Sequence, residues 1–254
     1  MSSRASVLAL AAATLSMVAC DGSFPVFVWD RVSNPATAPA TPDGIVPGGD
    51  RENAYAWCMD VVSAEDGDWL YVGGSRGILY MFLQFAFVTD AEIQSVFHGD
   101  IPATSDTRAR IFRWKLDGSR PWEEVYRSPM LESPYEAWAR DIGYRGCVAY
   151  GSGAEAGLLA VSVSPFGQVG SRVLRIRANA APGAEPDEVL RIAPVGEQTT
   201  NTLRPILSFD GRVAVGTQSN DLYVAATPPV QPPGENASAE GWECVATDAD
   251  FGGA

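Results

Sequence analysis

From residue 54 onward the chain is written in short apolar blocks broken by Gly, Asp, Asn and Pro. Trp69-Leu70-Tyr71-Val72 and Ile78 through Phe82 are apolar at every position. Each predicts a strand covered on both faces. Phe112-Arg113-Trp114-Lys115-Leu116 and Val173-Leu174-Arg175-Ile176-Arg177 place a charge at alternate positions instead. Successive side chains of a strand point to opposite faces, so these predict strands buried on one face only. Glycines follow several blocks, at Gly73-Gly74, Gly151 and Gly216, where tight turns are expected.

The blocks recur. A first segment runs Met59-Asp60-Val61-Val62, Trp69 to Gly74, then Gly77-Ile78-Leu79-Tyr80. A second runs Arg140-Asp141-Ile142-Gly143, Cys147 to Ser152, then Gly157-Leu158-Leu159-Ala160. A third runs Arg204-Pro205-Ile206-Leu207, Arg212 to Thr217, then Asp221-Leu222-Tyr223-Val224. Each leads to a further strand-like piece, beginning at Trp122, Asp187 and Trp242. Self-similarity on this scale marks a repeat architecture. Central strands covered twice, beside outer strands covered once, suit sheets stacked face to face around an axis, as in the blades of a propeller. The repeats are unequal, with an insert from about Gln84 to Ala109. Three blades are visible, where propellers usually have about four or more.

Leu70-Tyr71-Val72-Gly73-Gly74, Asp117-Gly118 with Trp122-Glu123-Glu124-Val125, and Val215-Gly216-Thr217 with Leu222-Tyr223 resemble the repeats of secreted bacterial β-propeller proteins. The resemblance covers roughly residues 54–254. It implies an all-β, propeller-like domain, complete or truncated. It says almost nothing about activity, because one fold hosts many functions.

The N-terminus follows another pattern. Arg4 precedes an apolar run from Ala5 to Val18, which has the length of a signal segment and is short for a bilayer span. Met17-Val18-Ala19-Cys20 resembles the lipobox of bacterial lipoproteins, which implies cleavage before Cys20 and lipidation on it. Residues 21–53 are rich in Pro and Gly, a composition that stays extended and builds no core. The expected organisation is a signal peptide over 1–19, a tether over 20–53 and a β-domain over 54–254. Such a protein is exported and held at the cell envelope through Cys20, or is secreted or periplasmic if Cys20 stays unmodified.

Charge narrows the partners. Asp and Glu number 31 against 18 Lys and Arg, a net of −13. That excess repels nucleic-acid phosphates and anionic headgroups, so nucleic acid is excluded as a partner. Three cysteines remain after Cys20: Cys58, Cys147 and Cys244. In an exported protein they allow one disulfide, with three pairings open.

Motifs with chemistry are few. Gly73-Gly74-Ser75-Arg76-Gly77 fits a nucleophile-elbow pattern, but a second strand rather than a helix is predicted after it. His98, the one histidine, is expected in a loop. Asp117-Gly118 reads as a structural turn. Glu65-Asp66-Gly67-Asp68 and Asp248-x-Asp250-x-Gly252 offer oxygen ligands to calcium without the rest of an EF-hand, so no cofactor is expected. Asp60, Arg140, Asp141 and Arg204 fall on the expected innermost strands and are the candidate binding residues of an axial channel. The leading expectation is a non-catalytic surface module for protein or glycan. A glycan-acting hydrolase with channel carboxylates and an inactive truncated paralogue are the alternatives.

Overall fold

Four antiparallel strands in hairpin order form each of three sheets. The first contains β1 (Tyr55–Ala64), β2 (Gly67–Ser75), β3 (Arg110–Lys115) and β4 (Glu123–Arg127). The second contains β5 (Gly143–Tyr150), β6 (Gly157–Val163), β7 (Arg172–Arg177) and β8 (Asp187–Arg191). The third contains β9 (Leu203–Phe209), β10 (Arg212–Thr217), β11 (Leu222–Ala225) and β12 (Glu243–Ala246). The computed structural model describes residues 55–75, 107–132, 136, 138–164, 170–192, 203–218, 220–231 and 238–251. Among these residues the helical segments are two short 3-10 turns, Gly153–Glu155 and Asp248–Phe251. The described chain is all-β, as its periodicity predicts. All three sheets belong to one compact unit, Ser33–Ala254.

The first strands hold the sheets together. β1 lies against β5, and β5 against β9. Two apolar seams result. The seam between the first and second sheets contains Val62, Trp69, Tyr71 and Ile111 facing Leu158, Ala160, Leu174 and Ile176. The seam between the second and third contains Leu159, Val161, Val173 and Val189 facing Leu203, Val213, Val215 and Trp242. β6 serves both: Leu158 and Ala160 face one seam, Leu159 and Val161 the other, and every residue of the strand is buried. A strand with period-two side chains can do this only if both faces are apolar, which Gly157-Leu158-Leu159-Ala160-Val161 supplies. The Asp117-Gly118 turn joins β3 to β4. The Ser119 amide donates to Asp117 Oδ1 at 2.8 Å, and Gly118 takes φ 71°.

Three details depart from the pattern reading. First, the third strand of the first sheet is β3; Gly77 to Tyr80 and Ile78 to Phe82 lie outside the described residues. Second, Cys147 to Tyr150 belong to β5, a first strand, and the second strand of that sheet starts at Gly157. Two consecutive apolar strands, β5 and β6, made the repeat alignment slip by one strand there. Third, two of the four charged positions in 112–116 and 173–177 are buried, Arg113 at 5% and Arg175 at 9% exposure, while Lys115 and Arg177 are only partly covered. Each buried arginine is paired in its own sheet. Arg113 Nη2 meets Glu123 at 2.7 Å and Arg175 Nη2 meets Asp187 at 2.8 Å. The carboxylate from the next strand compensates for the lost hydration, so an outer position can be charged and still covered.

Candidate ligand-binding cleft

Each first strand carries an irregularity near its start. The β1–β2 ladder shifts between Ala56 and Cys58, leaving Trp57 as the surplus residue. The β5–β6 ladder shifts between Tyr144 and Gly146, leaving Arg145. In the third sheet Leu203 and Ile206 pair with Thr217 and Val215, so Arg204 and Pro205 oppose Gly216 alone. A bulge frees a residue from the ladder and re-aims its side chain. The three side chains Trp57, Arg145 and Arg204 converge on one open cleft of about 370 Å3.

Glycines make the convergence feasible. A Cβ at Gly143 would overlap the Trp57 ring, and one at Gly146 would stand 2.8 Å from the Arg204 carbonyl oxygen. Trp57 also packs on the small cluster of Ala139, Ile142 and Val163. The Arg145 guanidinium lies over the Trp57 ring, 5.1 Å from its centroid, in cation–π contact. Burial, and then the neighbouring Arg204 charge, press the Arg145 guanidinium below its ordinary pKa. No carboxylate among the described residues pairs with Arg145 or Arg204. Two adjacent cations without a counter-ion among the described residues form a ready acceptor for an anionic group.

Of the residues expected from sequence, Arg204 reaches this cleft. The other three are engaged elsewhere. Asp60 in β1 accepts the Ala149 amide at 2.7 Å with Oδ2 and the Val61 amide at 2.8 Å with Oδ1, stitching β1 to β5. Arg140 and Asp141 precede β5. Arg140 donates to the Gly170 carbonyl at 2.7 Å. Asp141 is fully buried and accepts from Arg172 Nη2 at 2.7 Å, Ser128 Oγ at 3.1 Å and Tyr144 Oη at 3.2 Å. Arg172 also donates to Tyr126 Oη at 2.9 Å. This network joins the first sheet to the second. Burial works against the Asp141 charge, but Arg172 and Arg140 outweigh it and hold its carboxyl below the usual range.

The remaining motifs resolve into structure. Ser75 ends β2 and is fully buried, so its hydroxyl is not presented to a substrate; His98 and Cys20 lie outside the described residues. Asp66 accepts from Trp69 Nε1 at 2.9 Å and pairs with Lys115 at 3.4 Å. Asp250 accepts the Thr247 amide at 2.7 Å. Among the described residues no cluster of His, Cys, Asp and Glu is arranged to hold a metal. A second hollow of about 240 Å3 lies beside Trp69 and Arg113. Its cations are already matched: Arg113 and Arg120 both pair with Glu123. Trp57 and Arg145 have no periodic signature, so pattern reading does not single them out. Set beside known proteins, the chain matches no family model, no curated protein and no solved structure.

Proposed function

We propose that the chain is an exported, non-catalytic binding module with a propeller-like β-domain, and that it takes the carboxylate of an acidic glycan between Arg145 and Arg204. The propeller reading is supported by the three four-stranded meanders, the neighbouring first strands and the face-to-face seams. The single observation that carries the ligand reading is the pair of guanidiniums in an open cleft with no carboxylate partner among the described residues. A guanidinium fork matches a carboxylate in geometry as well as charge, and the Trp57 ring supports the Arg145 guanidinium from one side. Guanidinium and indole groups bind and orient, but neither shuttles protons near neutral pH; this favours binding over hydrolysis. The lipobox-like Met17 to Cys20 and the Pro-rich segment after it support a tethered position at a bacterial envelope.

Calorimetric titration of the full chain with a uronic-acid oligosaccharide, and with its neutral hexose counterpart, tests the ligand. The acidic sugar binds and the neutral one does not. Arg145→Ala and Arg204→Ala each weaken binding by about tenfold or more, since a hydrogen bond to a charged group is worth about 1.5–3 kcal/mol. Equal binding of the two sugars, or variants that bind like the parent, would reject the reading.

A further inference from the structure

We infer that Cys58 and Cys147 form a disulfide that ties the first sheet to the second. Cys58 lies in β1 and is 9% exposed; Cys147 lies in β5, half-buried and packed on the same apolar seam. The register of the two strands brings them together. Asp60 of β1 receives the Ala149 amide of β5 at 2.7 Å. Two residues back along each strand stand Cys58 and Cys147. A two-residue step returns to the same face of a strand, so the sulfurs occupy the same seam as that hydrogen bond. Cys58 is the neighbour that most perturbs the Cys147 thiol. Gly73 opens the space beside them: a Cβ there would come within 2.7 Å of Cys58 Sγ. Cys244 is set apart in β12, exposed, with its thiol donating to the Ala246 carbonyl at 3.4 Å. The geometry therefore selects one of the three pairings that composition allows.

The oxidant is a disulfide, either a thiol–disulfide oxidoreductase or oxidised glutathione. One cysteine thiolate attacks it, breaking its S–S bond and forming a mixed disulfide. The second cysteine sulfur then displaces the oxidant's remaining thiolate. One S–S bond forms in the protein and one is lost from the oxidant, which accepts two electrons and two protons and becomes two thiols. The neighbouring Cys58 thiol, and then burial, push the Cys147 thiol up. Whichever cysteine attacks does so as its thiolate, so the exchange quickens as pH rises. Trp57 immediately precedes Cys58, and Arg145 stands two residues before Cys147, so the bond pins both strands that begin at the cleft.

The test uses the full chain carrying Cys20→Ala and Cys244→Ala, incubated natively with oxidised glutathione and read by intact mass and peptide mapping. The expected product is monomeric and about 2 Da lighter than the dithiol, for two hydrogens removed, with the Cys58 and Cys147 peptides linked. It should need about tenfold or more reduced glutathione to open than the same bond in urea-unfolded chain, because the fold holds the thiols together. Mixed glutathione adducts, intermolecular dimers, or equal ease of reduction folded and unfolded would overturn the inference. So would a Cys244 linkage in the parent chain. None of these readouts depends on sugar binding, so the bridge and the ligand reading stand or fall separately.

Discussion

Asp141 shows how a fully buried charge is kept. Arg172 and Arg140 flank it, and Ser128 and Tyr144 donate to it. Removing its charge leaves Arg172 with Glu188 as its remaining carboxylate, so Asp141→Asn should cost about 1–3 kcal/mol near neutral pH. The pH dependence follows from its lowered folded pKa. The contribution is complete above the unfolded carboxylate value near ~4 and is lost as pH falls through the lower folded value. Urea midpoints of parent and variant should therefore converge as the solution is acidified below about pH 4; a gap that stays constant from neutral to acid would contradict this. At this scale the sequence was only partly readable. Arg204 stands out because it opens a strand block, whereas a bulge leaves no mark in a hydrophobic pattern, which hid Trp57 and Arg145. The buried network around Asp141 is equally hidden, since its members come from three separate segments, around 126–128, 140–144 and 172.

Strands were far easier to read than sites. Period-two alternation and uninterrupted apolar blocks located β2, β3, β7, β10 and β11, because burial of a strand face is written directly into residue order. The alignment failed at β5 and β6, where two apolar strands follow each other and neither face alternates. A further repeat lies in the charged positions. Arg110-x-x-Arg113 with Glu123-Glu124-x-x-Arg127 recurs as Arg172-x-x-Arg175 with Asp187-Glu188-x-x-Arg191. In both sheets the arginines of the third strand meet carboxylates of the fourth: Arg113 with Glu123, Arg110 with Glu124, Arg175 with Asp187, Arg172 with Glu188. β6 gives a direct test of the two-seam architecture. Leu158→Ala and Leu159→Ala should each cost about 2–5 kcal/mol, through different neighbours. In double-mutant cycles by urea unfolding, Leu158 should couple to residues such as Ile111 and Leu159 to residues such as Val213, by about 0.5–3 kcal/mol. Coupling of Leu158 to Val213 in place of Ile111 would refute the assignment of faces.

For the whole molecule, the net charge of −13 sets a general field that keeps anions and acidic surfaces away. Against that field a small cationic cleft is a local exception. Recognition then rests on contact within the cleft rather than on long-range attraction, because screening at physiological salt confines the cleft's own field to about 8 Å. The same charge sits poorly against an anionic leaflet, which gives the Pro-rich stretch a purpose if the chain is tethered: it holds the domain clear of the headgroups. Intact mass of protein extracted from the envelope in detergent checks the tether. A chain starting at Cys20 with added acyl groups is the expected species; an unacylated mature chain would leave a soluble protein with the same β-domain.

The bulged residues carry a consequence for redesign. A residue surplus to the ladder makes none of the paired hydrogen bonds that set the register of its sheet, so its identity can change while the strands on either side keep their partners. Positions 145 and 204 are of this kind in two different sheets. Preference for the charge of a ligand is thereby separated from the instructions for folding. Replacing both arginines by glutamate would invite cations in place of anions on an otherwise unaltered scaffold, and the cleft could be retuned one side chain at a time.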